Sequence, residues 1–289
     1  MSDLHKLVEA ALGAKVLTTS AVAGGDINSA WRFALQSDAR GRFDVFVKAN
    51  ASAPSGMFEA EASGLAFLAE AAALRTPHVL AVGESFLALE WIEGGPRARD
   101  FDDRLGRGLA ALHRSSPGGF GLDHNNFIGR LPQNNAPATS NEWAVFYAER
   151  RLQPQTERAV DAHHLPASCA ARIERLCARL ADLVGPPETP ARLHGDLWAG
   201  NHVADGEGLP VLIDPAAYAG HREVDLAMMR LFGGYNARVF AAYNEAYPLA
   251  PGHERRVPLY QLYYLLVHVN LFGAAYRSGV ESSLTSLGF

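Results

Sequence analysis

The stretch LHGDLWAGNHVADGEGLPVLIDPAAYAGHREVDL, residues 193–226, is the part of the sequence that decides the fold. Asp196 and Asn201 lie five residues apart in a glycine-containing loop, and Asp214 follows an apolar run, 210–213, that is typical of a buried strand. Phosphoryl transfer needs a carboxylate near the attacking hydroxyl and hard oxygen ligands that hold Mg²⁺ against the phosphates. The pattern therefore predicts Asp196 as the catalytic base and Asn201 and Asp214 as metal ligands. A loop in which these side chains only cap turns is the alternative.

The order Asp-x4-Asn followed by a strand-terminal Asp resembles the catalytic segment of kinase-fold enzymes. Gly195 stands where many protein kinases carry an arginine, and no Phe-Gly pair follows Asp214, which favours the aminoglycoside phosphotransferase-like group of small-molecule kinases. Within this group, HGDLWAGN, IDPAAYAGHREVDLAM and LFGGY resemble the fructosamine (ketosamine) kinase family. The resemblance spans nearly the whole chain.

This resemblance implies both the cofactors and the acceptor. ATP and Mg²⁺ would be the cofactors. The acceptor would be a fructosamine or ribulosamine adduct of an amine or of a protein lysine. Phosphorylation of its sugar 3-hydroxyl would be a step towards deglycation.

The same resemblance implies an α+β, two-lobed protein-kinase-like fold. We expect a small N-terminal lobe, residues 1–93, with an antiparallel sheet, one key helix and the ATP site. We expect a larger, mainly helical C-terminal lobe, residues 94–289, with the catalytic and acceptor-binding residues.

A glycine turn near the N-terminus joins two predicted strands. Gly24 and Gly25 would let backbone N–H groups approach phosphate oxygens, and Asn28 and Ser29 could add donors. The turn of any hairpin with this composition would look the same, so the prediction depends on the downstream motif.

A lysine and a glutamate are predicted to form the ion pair of the kinase template. The strand 43–48 alternates apolar side chains on one face and leaves Lys48 at the end of the other. In the predicted helix 57–74, Glu61 shares the apolar stripe, where a carboxylate requires a cation. Lys48 would then hold the α- and β-phosphates. A solvated surface lysine is the alternative.

The strand 86–92 runs into Glu-Gly-Gly-Pro, which by composition indicates only a lobe boundary. The resemblance makes this segment the hinge, in which main-chain groups of Glu90, Trp91 and Ile92 would bind adenine.

Several further residues are predicted to support the site or to contact the acceptor. His194 is interpreted as structural, with proton transfer as the alternative, and Asp225 would brace the catalytic loop. His113 is interpreted as a helix C-terminal capping residue. The long connection 115–141 is predicted to line the acceptor site. The candidate acceptor contacts are Trp198, for which core packing is the alternative, His124, Asn126, His221 and Tyr235.

The composition is that of an ordinary globular protein of 289 residues, 48% hydrophobic, with a net charge of −5. The sequence has no dense Lys/Arg run, so nucleic-acid binding is not expected. The most apolar late segment, 259–276, is interrupted by polar residues and favours a buried helix over a membrane span. The lack of a signal-peptide pattern and the two cysteines favour the cytoplasm. A monomer is favoured, although the sequence leaves the oligomeric state open.

Two other functions are compatible with the motif. One is a kinase for another hydroxyl compound, such as an aminoglycoside, choline or homoserine. The region after Asp225 is not acidic, whereas a polycationic antibiotic requires an acidic surface. The other is a nucleotide-binding pseudoenzyme, although a scaffold protein has no chemical need for Asp196.

Overall fold

The computed structural model describes residues 2–23 and 27–289. Its strands are β1 (Lys15–Ala21), β2 (Ser29–Ser37), β3 (Gly41–Ala49), β4 (Val79–Gly83), β5 (Phe86–Glu90), β6 (Asn126–Ile128), β7 (Leu131–Gln133), β8 (Ala191–Leu193), β9 (His202–Ala204), β10 (Pro210–Leu212) and β11 (Tyr218–Gly220). Its α-helices are α1 (Ser2–Leu12), α2 (Met57–Ala69), α3 (Phe101–Arg114), α4 (Trp143–Tyr147), α5 (Gln153–Asp161), α6 (Ala167–Cys177), α7 (Leu180–Leu183), α8 (Glu223–Leu231), α9 (Ala237–Ala246), α10 (His253–Phe272) and α11 (Arg277–Ser286). A π-helical turn, Ala148–Leu152, joins α4 to α5, and a 3₁₀ turn, Ala274–Tyr276, precedes α11.

The N-terminal part is an antiparallel sheet with the strand order β1-β2-β3-β5-β4. The apolar side chains of β2 and β3 alternate towards one face, where Phe33, Leu35, Val45 and Val47 are fully buried. Because side chains alternate along a strand, Lys48 points to the opposite face. That face is covered by α2, which brings Glu61 opposite Lys48.

Two predicted boundaries in this part were wrong. The helix predicted over 57–74 ends at Ala69, because the chain turns through Ala72, which has a left-handed φ of 49°. This turn brings Arg75 into a bridge with Val211 of β10. The strand predicted over 86–92 ends at Glu90, and Trp91 and Ile92 continue outside the sheet.

The C-terminal part is mainly helical and packs around α10. Nine residues of this helix are buried, including Tyr260, Tyr263 and Tyr264, so the middle of the helix is buried on nearly all sides. No helix in the described part of the chain is long and apolar enough to cross a membrane. The prediction of a buried helix in this segment is therefore confirmed.

The long connection between α3 and α4 is more ordered than its Gly/Pro/Asn-rich composition suggests. It contains the two-stranded β6–β7 hairpin, paired from Asn126 with Gln133 to Ile128 with Leu131. A further bridge joins Gly121 to Ala219 in β11. The connection is thus held against the segment that follows Asp214.

Candidate functional site

Asp196, Asn201 and Asp214 lie together because a short hairpin joins their segments. Strands β9 and β10 pair antiparallel, and the Ile213 N–H donates to the Asn201 carbonyl at 3.1 Å. Asn201 Nδ2 donates to the Asp196 carbonyl at 2.8 Å and to Asp196 Oδ2 at 3.1 Å. Asp214 lies two residues beyond β10, not at its end, and has a φ of 56°, a conformation that few non-glycine residues adopt.

Lys48 bridges two carboxylates at the floor of this site. Its Nζ lies 2.7 Å from Glu61 Oε1 and 2.7 Å from Asp214 Oδ1, and its side chain is 10% exposed. Burial alone would lower the pKa of Lys48, but the two carboxylates outweigh that effect and raise it. Lys48 is therefore a permanent cation, and the predicted pair with Glu61 is present.

The side chains fit a magnesium ion that is shared with phosphate oxygens. Mg²⁺ in kinases is usually held by one or two protein oxygens, with water and substrate phosphates completing its shell. The Nδ2 of Asn201 donates to Asp196, so the Asn201 Oδ1 is available to a cation. Asp214 contacts Lys48 through Oδ1, so its Oδ2 is also available. Among the described residues no group of three or more His, Cys, Asp or Glu forms a closed metal cage. Such a cage is not required for a metal that bridges phosphates.

The environment of Asp196 suits a proton acceptor. Burial and the neighbouring Asp214 carboxylate raise the pKa of Asp196 to about 7, while the hydrogen bond from Asn201 acts in the opposite direction. A bound divalent cation would lower this value. A carboxylate poised near neutrality can accept a proton from an alcohol as its oxygen attacks.

The loop that carries Asp196 is held by Asp225, at the start of α8. Asp225 is fully buried, and its two oxygens accept the N–H groups of His194 at 2.7 Å and Gly195 at 2.9 Å. His194 Nδ1 accepts the Asp196 N–H at 3.2 Å, so its Nε2 carries the proton that it donates to the Ile213 carbonyl at 2.8 Å. Burial also lowers the pKa of His194. Both ring nitrogens are thus used within the fold, as a structural role requires.

Three features that hold this loop or its Asp225 brace were not predicted from the sequence. The prediction that His113 caps the end of α3 was wrong. His113 is buried, and its Nε2 lies 3.2 Å from Asp225 Oδ2 and its Nδ1 2.8 Å from the Tyr243 hydroxyl. The Tyr264 hydroxyl donates to the Gly195 carbonyl at 2.9 Å. Gly195 has a φ of 81°, and a Cβ there would lie 2.0 Å from the Ala216 carbonyl oxygen. No other residue fits this position without moving the loop.

A cleft of about 950 Å³ lies between the sheet and the helical part, and Asp196, Asn201, Asp214 and Lys48 lie on its wall. Its lining includes the residues predicted for the hinge and one of the predicted loop donors: Asn28, Glu90, Trp91 and Ile92. Ser29 is exposed and lies outside the cleft lining, so the structure does not support its predicted role. Gly24 and Gly25 lie outside the described residues.

Two of the predicted acceptor contacts line the cleft. Trp198 is 43% exposed, which excludes the alternative of core packing, and its ring lies over Gly200. Asn126 also lines the cleft, but its side chain is occupied: Nδ2 donates to the Ala217 carbonyl at 2.8 Å, and Oδ1 accepts from Gln133 and Asn135, each at 2.8 Å. Asn126 therefore fixes the β6–β7 hairpin to the segment after Asp214.

The other three predicted acceptor contacts lie elsewhere. His124 is outside the cleft lining, and its Nδ1 lies 2.5 Å from Asp123 Oδ1. Tyr235 packs against the loop that carries Asp196: its hydroxyl lies 3.4 Å from the Leu197 carbonyl. Its ring stacks on His202, with ring centroids 5.1 Å apart. His221 is buried in the helical core, stacked on Tyr260 at 5.3 Å. For Tyr235 and His221, packing against distant elements, which spacing along the chain does not reveal, removes the side chain from the cleft.

The burial of His221 predicts a contribution to acid sensitivity. Burial lowers its pKa, so the ring stays neutral in the folded protein while the unfolded chain takes up a proton below pH 6.5. The stabilising effect of the neutral ring is present above about pH 6.5 and is lost as the pH falls towards the folded-state pKa. The charged and titratable groups that face it are Glu188, Arg222, Glu223, Arg256 and Tyr260.

Lowering the pH from 7.5 to 5.5 should reduce the free energy of unfolding less in His221→Phe than in the wild type. The difference between the two reductions should be at most about 1.4 kcal/mol, the limit for uptake of one proton. Urea unfolding at the two pH values measures this difference. His78→Phe, at an exposed histidine, is the control and should keep the wild-type pH dependence. Equal losses in His221→Phe and the wild type would contradict the assignment.

Comparison with known proteins agrees with this geometry. The family model "Fructosamine kinase" matches residues 1–287. The chain is 43% identical over 263 residues to a probable ketoamine kinase of Thermus thermophilus, covering 91% of both chains. It is 38% identical over 277 residues to the chloroplastic protein-ribulosamine 3-kinase of Arabidopsis thaliana, covering 93% of this chain and 82% of the relative.

Solved structures show the same relationship. A Thermobifida fusca crystal structure assigned as a fructosamine-3-kinase superimposes with a TM-score of 0.89 at 39% identity, over 99% of this chain and 98% of the other. The gentamicin complex of APH(2")-IIa superimposes with a TM-score of 0.63 at 14% identity, covering 99% and 95% of the two chains, which shows the fold alone. The predicted two-lobed, protein-kinase-like α+β fold is therefore confirmed. From the family match, the curated relatives and the shared fold, we conclude that this chain is a phosphotransferase that belongs to the fructosamine kinase family.

Proposed function

We propose that this protein transfers the γ-phosphoryl group of ATP to the 3-hydroxyl of a ketosamine sugar. The acceptor would be a fructosamine or ribulosamine adduct of an amine or of a protein lysine, and the product would be an intermediate of deglycation. The observation that carries the proposal is the partly buried Asp196 carboxylate, held by Asn201 beside Asp214 on the wall of the cleft. The names of the relatives support the acceptor class.

The division of labour within the cleft follows from its residues. Residues 1–93 would form the ATP-binding lobe and residues 94–289 the catalytic and acceptor-binding lobe. Lys48, positioned by Glu61, would hold the α- and β-phosphates, and main-chain groups of Glu90 to Ile92 would bind adenine.

Asn201 and Asp214 would hold Mg²⁺, which supplies positive charge to the phosphate oxygens. Asp196 would orient the acceptor hydroxyl and accept its proton as the hydroxyl oxygen forms a bond to the γ-phosphorus. The bond from that phosphorus to the β–γ bridging oxygen breaks, and ADP leaves with that oxygen. His194 and Asp225 would keep the loop in place without touching the substrate.

The decisive experiment is a screen of the purified protein with Mg²⁺ and ATP against fructosamines, ribulosamines, aminoglycosides and choline. We expect ADP release and a phosphorylated product with ketosamines only, and we expect a chelator to abolish the release. Phosphorus-coupled NMR of the product would locate the phosphate at the 3-hydroxyl.

Each other outcome of this screen has a defined meaning. Transfer to an aminoglycoside or to choline, but to no ketosamine, would reject the acceptor class. Binding of nucleotide without turnover on any acceptor would favour a pseudoenzyme over a kinase. A cytoplasmic location and a monomeric state remain predictions from the sequence.

A further inference from the structure

The exposed aromatic side chains of this protein are concentrated in the cleft. Seven large hydrophobic side chains in the described part of the chain are exposed, and the three aromatic ones among them are Trp198, Phe232 and Phe272, at 43%, 46% and 46%. All three line the cleft. Water contact with an aromatic ring is unfavourable, so an exposed cluster of rings beside a reaction centre indicates a surface that a ligand covers.

Two of these rings belong to a continuous aromatic wall, defined here as Phe232, His268, Phe272 and Tyr276. The His268 ring centroid lies 4.9 Å from that of Phe232, 5.0 Å from that of Tyr276 and 5.6 Å from that of Phe272. His268 Nδ1 donates to the Tyr264 carbonyl at 2.7 Å, and burial lowers the pKa of its ring, so the wall carries no charge of its own. Phe232 directly follows α8, His268 and Phe272 belong to α10, and Tyr276 belongs to the 3₁₀ turn after it.

The charges along the cleft favour a cationic acceptor. Among the described lining residues the carboxylates are those of Glu61, Glu90, Asp196 and Asp214. Glu90 pairs with Arg75, and the one lining ammonium, that of Lys48, contacts Glu61 and Asp214. Two arginines near the wall lie outside the cleft lining. The exposed Arg130 donates to the Leu271 carbonyl at 3.2 Å, and Arg277 lies 3.6 Å from Glu281. A carboxylate on the acceptor would therefore find no free cation in the described cleft.

We propose that the aromatic wall binds the amine substituent of the acceptor, and that the enzyme prefers ketosamines of apolar or aromatic amines without a carboxylate over ketosamines of free amino acids. This proposal rests on the proposed function, since it names the part of a ketosamine that the wall contacts. The sugar lies at Asp196, and the substituent on its amine extends along the cleft to the wall.

The chemistry of the acceptor fits both features of this surface. A ketosamine nitrogen is a protonated secondary amine near neutral pH, and a cation is attracted to the faces of aromatic rings. An apolar group on that nitrogen gains further by covering the exposed rings. An α-carboxylate next to the nitrogen would instead lie near the Asp196 carboxylate, with no unpaired cation among the described lining residues to receive it.

The test uses four fructose adducts, those of phenethylamine, phenylalanine, ethylamine and alanine. Together they measure the effect of the aromatic ring and the effect of the carboxylate independently. Within each pair the amino acid differs from the amine only by its carboxylate. We expect kcat/KM to be about tenfold higher for the phenethylamine adduct than for the ethylamine adduct. We expect each amino acid adduct to be about tenfold poorer than its amine.

The aromatic contribution is then assigned with variants of exposed residues, whose truncation should leave the fold intact. In Phe232→Ala and Phe272→Ala, the ratio of kcat/KM between the phenethylamine and ethylamine adducts should fall from about ten towards one, mainly through KM for the adduct. The KM for ATP serves as the readout of an intact nucleotide site. Leu17→Ala, at an equally exposed apolar residue outside the cleft, is the matched control and should keep the wild-type ratio.

The outcomes separate this inference from the proposed function. Turnover of all four adducts with equal kcat/KM, or a preference for the amino acid adducts, would overturn the aromatic-wall proposal and leave the ketosamine kinase activity standing. An unchanged ratio in both phenylalanine variants would also overturn it. Absence of turnover with every ketosamine would reject the proposed function and the inference together.

Discussion

Asp196→Asn is expected to lower the turnover of ketosamine phosphorylation by about 10²–10⁴-fold, the usual contribution of a general base. An amide oxygen does not accept the proton of an attacking hydroxyl, but the side chain keeps its size and its oxygen can still accept the hydrogen bond from Asn201 Nδ2. The affinity for Mg²⁺-ATP should therefore survive. Single-turnover assays of phosphate transfer and calorimetric titration with nucleotide measure the two quantities separately.

The control for this variant is Asp123→Asn, which neutralises a carboxylate whose side chain is 89% exposed and lies outside the cleft lining. It should keep wild-type turnover. Turnover of Asp196→Asn close to that of the wild type would remove Asp196 from the role of base. A parallel loss of nucleotide affinity would instead indicate that Asp196 acts mainly through the metal site.

Lys48→Met is expected to reduce both activity and stability. The methionine fills much of the same volume, but it leaves Glu61 and Asp214 without the cation that lies 2.7 Å from each. Removing one partner of a buried ion pair costs about 3–5 kcal/mol, and we expect the lower end because the Asp214 side chain is 35% exposed. Loss of the charge that we propose holds the phosphates should lower kcat/KM by about 10²–10³-fold.

The stability effect is tested by denaturant unfolding of Lys48→Met, Glu61→Gln and the double variant. Because the two residues are in contact, the losses should not add: the double variant should be less destabilised than the sum of the single variants. Lys6→Met, at an exposed lysine, is the matched control and should be neutral. Additive losses, or near-normal kcat/KM in Lys48→Met, would contradict the proposed role of the pair.

Several elements of the site could be predicted from the sequence because each is set by a short, local pattern. The alternation of β3 places Lys48 on the face opposite Val45 and Val47, and the helical period of α2 places Glu61 on its buried side. Asp196 and Asn201 are linked by a five-residue spacing within one loop. Their direction and proximity follow from backbone geometry over a few residues.

Local patterns were less informative where an element ends. The sequence of α2 remains favourable for a helix up to Leu74, yet the helix ends at Ala69, since the chain must turn for Arg75 to reach β10. The left-handed conformation of Asp214 has a similar origin, because it lies between the end of β10 and the segment held by Asn126. In both places a tertiary contact overrides the local preference.

What the sequence determined by itself is therefore the fold class and the set of residues proposed for phosphate and metal: Lys48, Glu61, Asp196, Asn201 and Asp214. Only the tertiary structure decided which histidines and aromatic rings face the cleft. His113 meets Asp225 across 112 positions, His221 is drawn into the helical core, and the aromatic wall forms where α8 meets α10. The physical reason is that backbone periodicity fixes the direction of a side chain within its own element, whereas its neighbours depend on how distant elements pack.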